Sequence, residues 1–124
     1  MCYYIPTITE RGAHMSITAD LIRGHTDTII LAKLMECDSY GYEINKAVYK
    51  ASNQMYELKE ATLYTAFKRL EDAGCISSYW GDQSTGARRK YYTITELGKQ
   101  TYKQKIDEWL EAKRLLDTLL HTDS

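Results

Sequence analysis

Residues Lys59 to Thr95 constrain this chain more than any other stretch. KEATLYTAFKRLEDAG carries Leu63, Tyr64, Phe67 and Leu70 at helical spacing, which predicts a helix over about residues 59–73 with those four on its inner face. Gly74 stands where a left-handed residue closes a helix. ISSYW and RRKYYTI follow as strands over 76–80 and 88–94, and residues 81–87 between them hold two glycines, loose enough for a hairpin tip. The second strand opens on three consecutive cations, Arg88, Arg89 and Lys90.

A helix running directly into a basic hairpin is the sequence form of a winged helix-turn-helix. Two more helices are expected upstream. The first covers about Asp20 to Glu36 and buries Leu21, Ile22, Ile29, Ile30, Leu31 and Leu34. Asp38 to Gly41 reads as a turn. The second helix runs from about Gly41 to Ser52, with Ile44, Ala47, Val48 and Ala51 on one face. Thr95 is placed to cap a final helix that continues to about His121, roughly 39 Å at 1.5 Å per residue. Its Tyr102, Ile106, Trp109, Lys113, Leu116 and Leu120 recur at spacings of four and three, as in a coiled-coil seam, and Leu110, Leu115 and Leu119 widen the apolar face. So much apolar surface exceeds what the preceding domain can cover, so a twofold dimer is expected.

The fold class is therefore mainly α with a small β-hairpin wing: a winged helix-turn-helix plus a long C-terminal dimerisation helix. Residues 15–95 form the DNA-binding domain and residues 96–121 the dimerisation helix. Residues 1–14 are set apart as an N-terminal extension, partly vector-derived on this reading, because Gly12-Ala13-His14-Met15 has the form of a cloning junction.

Composition narrows the function by exclusion. Cys2, Cys37 and Cys75 are odd in number and show no CxxC spacing, which argues against a disulfide framework or a zinc site and for a cytoplasmic location. No apolar run is long enough to span a membrane. His14, His25 and His121 are scattered over poorly structured or terminal positions. No GxSxG, HExxH or glycine-rich phosphate loop occurs, so neither an enzyme nor a cofactor is called for. The net charge of −1 does not advertise a nucleic acid, so the cations must be sorted by position.

So sorted, the third helix presents Lys59, Glu60, Thr62, Thr65, Lys68 and Arg69 outward. Threonines can meet base edges, and the lysines and arginine can hold phosphates. Alternation sends Arg89 to the face opposite Arg88 and Lys90, with Tyr92 inward and Tyr91 half-exposed. A solvated helix face or a charged edge strand would explain either feature alone; together they point to double-stranded DNA. Trp109, with Ile106 and Lys113 in the same seam, suggests a slot for a flat aromatic effector where two copies meet. A lysine there disfavours a cationic ligand unless Asp107, Glu108 or Glu111 offsets it. Two other classes stay open: a winged helix that binds a protein, and a DNA-binding regulator without an effector.

RGHTDTIILAKL, YGYEI, ATLYTAFKRLEDAGCI and RRKYYTIT followed by ELG together resemble the PadR-like transcriptional regulators, in the short subclass with one C-terminal helix. The resemblance covers about Ile22 to Leu120. It implies a homodimer that represses a nearby gene from a palindromic operator. Thr62, Tyr64, Thr65 and Lys68 would then lie at the DNA surface, with Arg88, Arg89 and Lys90 on the wing. It also implies a drug-binding pore lined by Trp109 and its symmetry mate. The dimer interface on this reading comprises Tyr102, Ile106, Trp109, Leu110, Leu116 and Leu120.

Overall fold

The computed structural model describes residues 20–81 and 88–122 of the 124-residue chain; the expected N-terminal extension and most of the hairpin tip lie outside them. The described elements run α1 (Thr26–Glu36), β1 (Ser39–Tyr40), α2 (Gly41–Ala51), α3 (Glu60–Asp72), β2 (Ile76–Trp80), β3 (Lys90–Ile94) and α4 (Glu96–Leu120).

The first helix differs from its expected span. Residues 20–23 are helical, but Gly24 and His25 form a turn before α1 begins. The backbone N–H of His25 donates to Ile22 O at 2.8 Å, and the Thr26 hydroxyl donates to Arg23 O at 2.8 Å. Glycine and a helix-breaking hydroxyl contact thus end one helical turn and start the next. Ile30, Leu31 and Leu34 are buried as expected, whereas Leu21 is exposed and Ile22 and Ile29 are only partly buried.

The sheet has three strands in the order β1-β3-β2, both pairs antiparallel, where the sequence suggested two. The stretch read as a turn supplies the third strand: Ser39 pairs with Tyr92 and Tyr40 with Tyr91. In α2, Ile44 and Val48 are buried, while Ala51 is exposed because the helix ends there. The chain then passes through Asn53 (φ 56°) and Gln54 (φ 66°), left-handed conformations that asparagine tolerates better than most residues. Asn45 fixes this connection. Its side-chain amide donates to Leu58 O at 2.7 Å, and its carbonyl accepts from Leu58 N at 2.8 Å.

On α3, Leu63, Ala66, Phe67 and Leu70 are buried. Tyr64, expected beside them, is 48% exposed. Its angular position explains this: at 3.6 residues per turn it lies roughly 100° from the centre of the buried stripe. Gly74 has φ 81°, as its place after the helix required. Phe67 stacks on Tyr92 with ring centroids 4.0 Å apart, which joins α3 to the sheet at the centre of the core.

The hydroxyl of Thr95 accepts from Gly98 N at 3.0 Å and donates to Gly74 O at 2.7 Å. One side chain thus caps α4 and ties it to the end of the preceding helix. Gly98 is the fully buried residue of α4. A Cβ there would stand 2.0 Å from Cys75 O, so only glycine permits this approach. Tyr102 packs against the core. Beyond it the 25-residue helix leaves the domain, and Leu110, Leu115, Leu116, Leu119 and Leu120 are all about half exposed or more.

Candidate nucleic-acid interface and apolar hollow

The outer surface of α3 follows from helix geometry. With Leu63, Ala66, Phe67 and Leu70 facing the core, Ala61, Thr65 and Lys68 fall on the opposite ridge. Thr65 and Lys68 are exposed, and Thr62 is half-buried. Lys68 reaches Asp72 at 3.5 Å in a solvent-exposed pair, an interaction of small worth that leaves the ammonium available to another partner. Lys59 is exposed at the N-cap position.

Arg69 is differently placed from the free cation the sequence suggested. Its Nε donates to Asp27 Oδ2 of α1 at 3.0 Å, and Nη2 to the other carboxylate oxygen. This two-point pair raises the guanidinium pKa further above its ordinary value, with the Asp27 hydrogen bond as the main cause. Nothing local to α3 announces it, since the partners are far apart in sequence.

Tyr64 stands at the other flank. Its ring meets Phe67 edge-on at 5.6 Å, and a Cβ on Gly41 would come within 2.7 Å of its hydroxyl. Tyr64 shares a groove of about 350 Å³ with Tyr40, Gly41 and Tyr42 and with all three wing cations. Arg88 and Arg89 precede β3, which begins at Lys90 rather than at the expected residue 88, and each of the three cations is laid against an aromatic ring. The Arg88 guanidinium lies 4.8 Å from the Trp80 ring centroid, that of Arg89 4.9 Å from Tyr40, and Lys90 Nζ 5.8 Å from Tyr92. Trp80 is therefore a support for Arg88 and remains 56% exposed. Tyr92 is buried, and burial pushes its phenol pKa up, while Tyr91 is half-exposed. Tyr91 stacks on Tyr79 at 5.6 Å and meets Tyr40 edge-on at 5.2 Å. This row of rings crosses all three strands and stiffens the base of the wing.

A second feature lies between the first helical segment and α4. A largely apolar hollow of about 440 Å³ is lined by Leu21, Ile22, His25, Ile29, Ile106 and Trp109, with Thr28, Ala32 and Lys105 completing it. His25, given no role by the sequence, meets the Trp109 ring edge-on at 5.1 Å. Ile106 and Trp109, read from sequence as dimer-seam residues, here line a hollow within one chain, and Lys113 does not line it. One turn further along α4, it pairs with Asp117 at 2.9 Å rather than with Asp107, Glu108 or Glu111. Hydrogen bonds from Lys113 and then Thr122 hold Asp117 below the usual carboxylate range. Among the described residues, no helix is long and apolar enough to cross a membrane, and no cluster of side chains could hold a metal.

Three helices, a three-stranded sheet whose hairpin carries the cations, and a long following helix define a winged helix-turn-helix protein. Residues 30–104 match the transcriptional regulator PadR-like family, and the chain belongs to that family, which is one of regulators and not of enzymes. It is 45% identical over 104 residues to an uncharacterized protein of Lysinibacillus sphaericus, across 84% of this chain and 95% of that one. It is 31% identical over 81 residues to the negative transcriptional regulator PadR of Bacillus subtilis, across 65% of this chain and 42% of that protein. A solved transcriptional regulator from Clostridium thermocellum superposes with a TM-score of 0.74 at 49% identity, covering 80% of this chain and 96% of that one. A PadR family regulator from Clostridium difficile gives 0.67 at 38% identity, covering 77% and 98%.

Proposed function

We propose that this chain is a cytoplasmic repressor that binds a palindromic double-stranded DNA operator as a homodimer and responds to a flat aromatic or drug-like effector at the dimer interface. The observation that carries the reading is the groove where Tyr64 of α3 meets Arg88, Arg89 and Lys90 of the wing, beside the exposed ridge of Thr65 and Lys68. A helix in the major groove reads bases, and a basic hairpin beside it holds the backbone. The apolar face of α4 supports the dimer, since Leu110, Leu116 and Leu120 stay about half exposed or more among the described residues. Two-fold pairing through that face would set two α3 helices to opposite half-sites.

On this reading Thr65 contacts a base and Arg89 a phosphate. Thr65→Ala should change the ranking among duplexes substituted one base pair at a time, whereas Arg89→Ala should weaken binding to all of them alike. Competition anisotropy over such a panel distinguishes the two, and a uniform loss for Thr65→Ala would count against its role as a reader.

Ile106, Trp109 and His25 support the effector site, because an aromatic ligand in their hollow would stack against the Trp109 indole. Titration with flat aromatic compounds should quench Trp109 emission in a Trp80→Phe background. Unchanged emission across such compounds, with DNA binding intact, would favour a regulator without an effector.

A further inference from the structure

The wing serves one side of α3; the other side faces the segment that carries Arg23 and Thr26. A helix in the major groove, about 12 Å wide, has a row of phosphates on each flank. Tyr64 faces the wing, and on the helical wheel Thr62 and Arg69 fall roughly 140–160° away from it, toward α1. There, Arg23, Thr26, Ala61, Thr62, Thr65 and Arg69 line an open hollow of about 350 Å³. Two arginines and three hydroxyl-bearing side chains from three segments thus converge, and no carboxylate is among the described lining residues.

We infer that this hollow is a second phosphate seat, through which Arg23 and Arg69 hold the DNA strand on the flank opposite the wing. The inference rests on the operator-binding reading above. Asp27 occupies Nε and Nη2 of Arg69 and leaves Nη1 to a further acceptor. A guanidinium held in this way surrenders little freedom when it meets a phosphate. Arg23 pairs with Asp20 at 2.7 Å, but both side chains are more than half exposed. Such a pair is weak, so exchanging the carboxylate for a phosphate costs little. The Thr62 hydroxyl adds a neutral donor of the kind that meets phosphate oxygens. Two flanking seats would also fix the rotation of α3 about its axis, which a single wing leaves loose.

The test uses the full chain and a labelled duplex from the region upstream of its own gene, titrated at several salt concentrations. Arg23→Ala should weaken binding to every duplex roughly tenfold or more at about 150 mM salt, and should make the slope of log K against log salt shallower by about two per dimer. Arg23→Lys should restore most of the slope, because it keeps the charge. The Arg23 side chain is exposed, so melting temperatures should match and exclude a folding defect. An unaltered chain that binds DNA steeply with salt, beside an Arg23→Ala variant of unchanged affinity and slope, would overturn the seat alone. Failure of the unaltered chain to bind any duplex would overturn the operator reading and the seat with it.

Discussion

Gly98→Ala is expected to destabilise this chain by about 2–3 kcal/mol, although alanine is the better helix former by about 1 kcal/mol. The reason is the approach of α4 to the end of α3. The added methyl would stand 2.0 Å from Cys75 O and 2.7 Å from Ile94 Cγ1. Cys75 O cannot turn aside easily, because it accepts Thr95 N at 3.0 Å at the entry to the same helix. The clash can be relieved only by lifting α4 from the sheet. That would strain the Thr95 cap and the packing of Tyr102. The melting temperature, measured at fixed protein concentration because a dimer's stability depends on it, should fall by roughly 10 °C. Gly24→Ala is the control. Among the described residues nothing lies within 4 Å of its added Cβ, so that variant should melt at or slightly above the unaltered temperature. Equal melting of Gly98→Ala and the unaltered chain would refute the close contact.

The second large effect belongs to the wing. Replacing Arg88, Arg89 and Lys90 together by alanine should lower operator affinity on the order of a hundredfold at physiological salt, and flatten the salt dependence by up to about five in a dimer. All three side chains lie at the surface, so the fold should survive their loss. Each cation rests on a ring, Trp80, Tyr40 or Tyr92, which limits its excursions without neutralising it. Arg69 contrasts with them, since it rests on the Asp27 carboxylate and not on a ring. Anisotropy titrations at matched salt would measure the series. A triple variant that binds like the unaltered chain would show that the wing does not touch the backbone.

Those elements were legible in the sequence whose signals are local. Periodicity found α2, α3 and α4, and the Thr95 cap and the left-handed Gly74 were readable from single residues in context. Features that depend on distant partners were not. β1 is two residues long, too short to show alternation, and exists because β3 offers it an edge. The Asn45 clasp on Leu58 and the Asp27–Arg69 pair each join different parts of the chain, and no spacing rule reports them. Tyr64 was misplaced because it neighbours the apolar stripe in sequence, while its hydroxyl sits over Gly41 at the groove. His25 fell inside the expected first helix and had no assigned role, yet the turn at Gly24 and His25 brings its ring to Trp109. The seam of α4 was legible as an apolar face, and it stays exposed among the described residues.

Function is thereby divided between two ends of the molecule. The ridge of α3 and the wing would make the contacts with one half-site, and α4 would set the distance to the other. Because α4 leaves the domain directly from Thr95, at the end of β3, a change in its packing would be felt at the wing. The most direct measurement is the affinity of the unaltered protein for a labelled duplex from upstream of its own gene, across a salt series. Saturable binding of two chains per duplex, with affinity falling steeply as salt rises, is the expected result. No binding at low salt, or an affinity indifferent to salt, would contradict it and leave the winged helix as a surface for protein partners.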